Sequence, residues 1–156
     1  MTKKLVIYDT VFGNTAKVAE TIGEALGPET TVKRVNDISA DDLADVDILF
    51  VGSPTRAFRP TEGITNFLNQ LSKDALKGVR AAAFDTRIHP EDINPKFFRF
   101  LFRTIGYADR VIARKLKSAG AELALEPDGF GVQESEGPLK EGEMERAAAW
   151  AKGIDD

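Results

Sequence analysis

The stretch Lys4–Ile22, KLVIYDTVFGNTAKVAETI, decides the architecture. Leu5–Tyr8 is a compact apolar run of the kind that forms a buried strand. From Asn14 onward the apolar positions Val18, Ala19, Ile22, Ala25 and Leu26 recur at helical spacing, and Gly27-Pro28 stops the pattern. Between strand and helix lie Asp9, Thr10, Val11, Phe12 and Gly13. Two uses of this turn stand side by side. Asn14 or a neighbour caps the helix, or the free amides of the first helical turn, with Thr10, Asn14 and Thr15 beside them, seat an anion.

The rest of the chain repeats the alternation. Thr30–Val35 reads as a strand, Ser39 with Asp42 as a short helical turn, and Val46–Gly52 as a fully buried strand. Ser53–Pro60 reads as a loop, and Ile64, Phe67, Leu68 and Leu71 mark a helix. Gly78–Asp85 is a further buried strand. The segment 94–120 is mostly helical, Ala121–Leu125 is strand-like, Phe130–Val132 extends or re-enters that strand, and 137–153 closes as a helix. Five apolar strands without inside/outside alternation, separated by helices, describe a parallel sheet covered on both faces. Right-handed crossovers make it an open, doubly wound α/β sheet. Such sheets hold ligands at the carboxyl ends of their strands, which directs attention to residues 9–15, 53–60 and 85–96.

Composition narrows the chemistry. With 156 residues, the expectation is one domain over 1–156. There is no cysteine and one histidine, His89, so thiolate nucleophiles, disulfides and cysteine metal sites are excluded and a histidine metal site has little to build on. No metal site and no catalytic side chain is expected; redox chemistry would need an organic cofactor. The N-terminal MTKKLVIYD has too short an apolar run for a signal peptide, and no run reaches membrane-spanning length. The expected location is cytoplasmic. The net charge of −4 is unevenly spread: residues 87–118 carry 8 basic and 3 acidic side chains, and residues 119–156 carry 3 and 10. Folding can mix these segments again, or leave a basic docking face.

Other phosphate loops do not fit the first turn. A Walker loop needs G-x-x-x-x-G-K-[ST] and a dinucleotide loop needs three glycines, whereas only Gly13 is present here. Thr10-Val11-Phe12-Gly13-Asn14-Thr15, placed directly after the first strand, resembles the FMN-phosphate loop of flavodoxins, whose pattern is [ST]-x-T-G-x-T. Ser53-Pro54-Thr55 after the third strand, and Gly137-Pro138-Leu139 with Gly142-Glu143 before the last helix, are similar to that family too, and the resemblance covers essentially the whole chain. It implies a five-stranded flavodoxin-like sheet of order 2-1-3-4-5, short-chain type, with FMN as cofactor. Phe12 departs from the pattern, standing where the family commonly has threonine, so one hydroxyl contact to phosphate is lost.

By the same resemblance, Ser53, Pro54, Thr55, Arg56, Ala57 and Phe58, together with Asp85, Thr86 and Arg87, would hold the flavin ring. Neither loop offers the family's usual Trp or Tyr; Phe58 is the stacking candidate, with a guanidinium or His89 for the other face. Trp150, among alanines on the last helix, reads as packing. Flavodoxins surround the flavin with acids, whereas Arg56, Arg59 and Arg87 are basic. A cation about 6 Å from the ring, at an effective dielectric of ~20, would favour the reduced anionic flavin by up to about 3 kcal/mol before screening. The expected redox couple is therefore less negative than a flavodoxin's.

Three functions follow for comparison. The first is an FMN-binding electron-transfer protein shuttling electrons between protein redox partners. The second is an FMN-dependent NAD(P)H- or quinol-linked quinone reductase on the same fold. The third is a phosphoacceptor module or flavin-less scaffold, but a receiver needs aspartate right after its third strand, and Gly52-Ser53-Pro54 stands there. The run PKFFRFLFR crowds Phe97, Phe98, Phe100 and Phe102 together with Lys96, Arg99 and Arg103. It is expected to be core, a lid, a homodimer or partner contact, or a membrane-surface helix, and not a nucleic-acid surface, given the net charge and fold.

Overall fold

The computed structural model describes residues 2–89, 92 and 96–155, with the side chains at 96–99 and 102 outside the described set. In chain order the elements are β1 (Lys4–Tyr8), α1 (Asn14–Leu26), β2 (Thr31–Arg34), α2 (Ala40–Leu43), β3 (Ile48–Pro54), α3 (Glu62–Asn69), β4 (Arg80–Arg87), α4 (Lys96–Ile105), α5 (Ala108–Ser118), β5 (Glu122–Leu123), β6 (Asp128–Gly131) and α6 (Glu143–Lys152). The sheet order is β2-β1-β3-β4-β5, with β6 also on β4, and every pairing is parallel. This is the expected doubly wound, flavodoxin-like sheet.

The sheet separates two cores, which is why its strands read as unbroken apolar runs. Leu5, Ile7, Leu49, Val51, Ala81 and Ala83 face one side with Ile64 and Leu68 of α3 and Ile112 and Leu116 of α5. Val6, Phe50, Ala82 and Phe84 face the other with Val18 and Ile22 of α1 and Ala147 and Ala151 of α6. Trp150 packs there, its ring edge-on to Phe50 at a centroid distance of 5.4 Å and near Phe130 at 5.8 Å. Its role is packing, as read from the sequence.

Several boundaries differ from the sequence reading: the last helix begins at Glu143 and not at 137, since Leu139 instead bridges to Val132 and Gly142 holds a left-handed φ of 86° ahead of the helix. The fifth strand comes in two pieces: β5 pairs with Arg80 and Ala81, and β6 with Phe84–Arg87. Glu126-Pro127 falls in the gap, and proline cannot donate to a ladder. The long helical stretch is two helices, broken at Gly106, whose φ of 93° is left-handed, and at Tyr107. Finally, β3 runs through Ser53-Pro54 and β4 through Thr86-Arg87. Residues read as loop are thus ends of strands, with orientations set by the sheet. Of the Phe-rich run, the side chains of Phe97, Phe98 and Phe102 lie outside the described residues, whereas Phe100 and Ile105 are exposed.

Candidate cofactor site

The site lies at the carboxyl ends of β1, β3 and β4, where the chain leaves β1 outward to β2 and then crosses back to β3. At the end of β1, Gly13 holds φ 94°, ψ −8° as the residue before α1, and no side chain caps the helix. The Thr10 hydroxyl oxygen instead accepts from the Gly13 amide at 2.9 Å, folding the loop back on itself. The α1 amides of Asn14, Thr15 and Ala16 therefore open outward at the positive end of the helix dipole. This resolves the helix-cap alternative: Asn14 is the first helical residue, and its Nδ2 donates to the Glu136 carbonyl at 3.1 Å. Asp9 anchors the loop from behind, taking Arg34 Nε at 3.0 Å and the Thr61 hydroxyl at 2.5 Å.

Thr86 ties the three loops together. Its hydroxyl is 2.8 Å from that of Thr15, both buried, and its carbonyl accepts from Thr55 N at 2.9 Å. In the second loop, Arg56 and Arg59 pair backbone to backbone in both directions, at 2.8 and 3.0 Å. The two residues between them, Ala57 and Phe58, have φ of 48° and 70°. Such a turn ordinarily uses Asn-Gly, and two non-glycine residues there carry backbone strain. The Thr55 hydroxyl accepts from Ala108 N at 3.0 Å, docking the turn on α5. Ser53 is fully buried and accepts from Thr61 N at 2.9 Å, so it braces the loop.

The third loop departs most from expectation. Arg87 forks onto Asp85, with Nε to Oδ1 and a terminal nitrogen to Oδ2 both at 2.7 Å, and reaches Asp109 Oδ2 at 3.0 Å. Its guanidinium carbon lies 3.8 Å from the centroid of the Tyr107 ring. On Gly129 an added Cβ would stand 1.9 Å from Arg87 Nε, so glycine is required there. Asp85 is completely buried; burial pushes its carboxyl up, to about 7, against the pull of the Arg87 fork. Asp85 and the Arg87 guanidinium thus form an internal ion cluster, and this cation is neutralised by two carboxylates. His89 turns toward Glu143, 3.7 Å away, and lines neither cleft described below.

Two adjoining clefts open between the loops. The inner one is the narrower and is lined by Thr10, Val11, Phe12, Asn14 and Thr15, by Pro54, Thr55 and Arg56, and by Thr86 and Arg87. The outer one, wider and more open, adds Ala57, Tyr107 and Glu136. Ten residues named from the sequence meet in the first and an eleventh in the second. Gly13, Ser53, Phe58 and Asp85 line neither: Gly13 shapes the turn, Ser53 and Asp85 are buried behind it, and Phe58 sits in the strained turn. The exposed aromatic at the clefts is Phe12, the residue that departs from the family pattern, with the Arg56 guanidinium 5.5 Å from its ring centroid. Sequence reasoning missed Ile88, Val132, Ser135, Glu136 and Tyr107. The break in the helical pattern at Gly106 was the one signal for Tyr107. Among the described residues, no group of three or more His, Asp or Glu could hold a metal ion.

The wall that carries Val132 and Ser135 is secured by the start of α6. Glu143 Oε2 accepts from Gly131 N at 2.6 Å, and Arg146 donates to Glu143, to Asp128 and to the Gly129 carbonyl. The Arg146 guanidinium holds the Glu143 carboxyl below its usual range. A depressed carboxyl contributes stability that is fully present above its unfolded value of about 4.3, and that contribution disappears as pH falls through the lower folded value. The Glu143→Gln variant is expected to lose this acid limb. Urea midpoints measured from pH 3 to pH 7 should show wild type and variant furthest apart near neutrality and converging in acid; a constant gap would refute the assignment.

A family described as flavodoxin domain matches residues 5–106. A flavodoxin of Aquifex aeolicus is 31% identical over 142 residues, covering 81% of this chain and 77% of the relative. An NAD(P)H dehydrogenase (quinone) of Rhodopseudomonas palustris is 31% identical over 111 residues, and the match spans 54% of this chain and 56% of that relative. Among solved structures, oxidised Flavodoxin 2 of Bacillus cereus superposes with a TM-score of 0.76 at 21% identity, over 99% of this chain and 98% of the other. Fold, loop geometry and these likenesses agree, and the chain belongs to the flavodoxin-domain family.

Proposed function

We propose that the protein is an FMN-binding electron carrier acting between protein redox partners. The observation that carries the reading is the uncapped start of α1, where outward amides meet Thr10, Asn14 and Thr15 at the inner cleft. That donor set, all neutral and rich in N–H and O–H, suits a phosphate. FMN is the cofactor of this family, and when bound it supplies the redox chemistry. The chain's residues orient and enclose it. Thr10 to Thr15 would hold the phosphate end, while Pro54, Thr55, Ala57 and the backbone around Thr86 would flank the ring. Gly13 makes the close approach possible. Because Asp85 and Asp109 pair with Arg87, that guanidinium does not support the less negative couple expected from the sequence.

The partner surface is proposed at the cleft rim. Val11 and Phe12 are exposed there, and Arg110, Arg114 and Lys117 are exposed along α5, on the basic segment noted in the sequence. Their charge favours a partner with an acidic docking face. A single domain over 1–156 and a cytoplasmic location complete the proposal. Among the described residues, no helix is long and apolar enough to cross a membrane.

A second reading, an FMN-dependent quinone reductase, is favoured by the quinone dehydrogenase likeness and by the open outer cleft beside Tyr107. The purified protein is expected to show the visible spectrum of an oxidised flavin, and stopped-flow mixing with NAD(P)H alone to reduce it only slowly. Rapid reduction followed by turnover of a quinone would favour the reductase; a colourless protein that takes up no FMN would refute both readings.

A further inference from the structure

We infer that Arg56 is the cationic partner of the cofactor phosphate, held at the phosphate end of the cleft by the ring of Phe12. The inference rests on the FMN reading above and concerns a residue type that the loop pattern itself does not provide.

Phe12 brings no hydroxyl. The Thr10 hydroxyl oxygen accepts from the Gly13 amide and keeps its proton to donate, Asn14 Nδ2 gives one of its two N–H groups to the Glu136 carbonyl, and the Thr15 hydroxyl shares a hydrogen bond with Thr86. Every donor the first loop offers a phosphate is neutral, and the only positive charge there is the partial charge of about +0.5 at the start of α1. A dianion placed there is under-compensated.

Arg56 is positioned to make up the difference. It lines the inner cleft together with Thr10, Asn14 and Thr15. Its guanidinium lies over the Phe12 ring, on the side of the first loop, with 5.5 Å between the guanidinium carbon and the ring centroid. A guanidinium drawn over a ring by its charge still has N–H groups to direct at an anion. The base of the side chain is fixed by the reciprocal backbone pairing with Arg59. The charge is also uncommitted. Arg34, Arg87 and Arg146 each sit within 3.0 Å of a carboxylate oxygen, whereas Arg56 has no such ion pair among the described residues. The substitution that removes a hydroxyl from the loop is the same one that supplies a ring for the guanidinium. Phe12 and Arg56 thus act as one unit.

The test compares FMN with riboflavin, which lacks the phosphate, by fluorescence titration of wild type and Arg56→Gln at low and high salt. Wild type is expected to bind FMN much more tightly than riboflavin. In Arg56→Gln, FMN affinity should fall about tenfold to a hundredfold, riboflavin affinity should not move, and the salt dependence of FMN binding should flatten. The Phe12→Leu variant, which keeps bulk but loses the ring face, should show the same selective loss in weaker form. Equal losses for both ligands would place Arg56 on the ring and overturn the inference, as would unchanged FMN affinity. Wild type binding both ligands equally would overturn the phosphate seat itself, a result distinguishable from failure of Arg56 alone.

Discussion

Replacing Arg87 with methionine is expected to lower stability by about 3–5 kcal/mol. Among the described residues the side chain is the one cation paired with two buried carboxylates, Asp85 at 2.7 Å through both oxygens and Asp109 at 3.0 Å. Methionine fills similar space against Tyr107 and Gly129, so the cost comes from uncompensated charge and not from a hole. Two consequences separate this account from a packing defect. The double variant Arg87→Met with Asp85→Asn should recover part of the loss, because it removes one of the stranded charges. The penalty of the single variant should also grow with pH. Burial already pushes the Asp85 carboxyl up to about 7 in the presence of Arg87. An acid whose folded value lies above its unfolded value of about 3.9 costs stability as pH rises between the two, and removing the fork widens that window. Urea unfolding at pH 4.5 and pH 7.5 gives both readings. A single variant within about 1 kcal/mol of wild type, the size of an ordinary point mutation, would refute the cluster as a structural keystone.

The second large effect is predicted for Gly52→Ala. Gly52 and Phe84 are paired neighbours on β3 and β4. The Phe84 ring lies across the glycine so closely that an added Cβ would stand 2.1 Å from two of its carbons. Phe84 is fully buried and packs near Trp150, with ring centroids 6.3 Å apart, so the ring has nowhere to go. Separating the backbones instead would open the β3–β4 ladder. Overpacking of this kind costs about 1–3 kcal/mol. Pairing the change with Phe84→Leu should return part of the loss, and that rescue is the decisive measurement. Because Gly52 leads directly into Ser53-Pro54-Thr55, the single variant should also weaken FMN binding, through displacement of the loop.

The first loop was legible because its structure is local. A strand, one glycine and a helix in succession leave few ways to run the chain, and the amides at the helix start face outward whatever lies around them. The order of the sheet was legible for a similar reason, since right-handed crossovers and the family likeness leave little choice. Side-chain direction at the strand ends was not. Whether Arg87 reaches over a flavin or folds back onto Asp85 depends on Asp109, more than twenty positions later, and on the bare backbone of Gly129. His89 likewise turns toward Glu143, and Phe58 is carried off the cleft by a turn whose left-handed geometry nothing in Ala57-Phe58 announces. Ser135 and Val132 reach the cleft because β6 and α6 fold their connecting segment over Asn14.

The junction at Thr86 has a kinetic consequence. One residue holds the first loop through its hydroxyl and the second through its carbonyl, so two walls of the cleft are fastened to the third before any ligand arrives. An apoprotein built this way does not have to assemble its site on encounter. Cofactor uptake should follow a single second-order phase, with a rate rising linearly in FMN concentration and no slow rearrangement behind it. Cutting the junction with Thr86→Val should introduce such a lag, turning a ready-made receptacle into one that waits for its own walls.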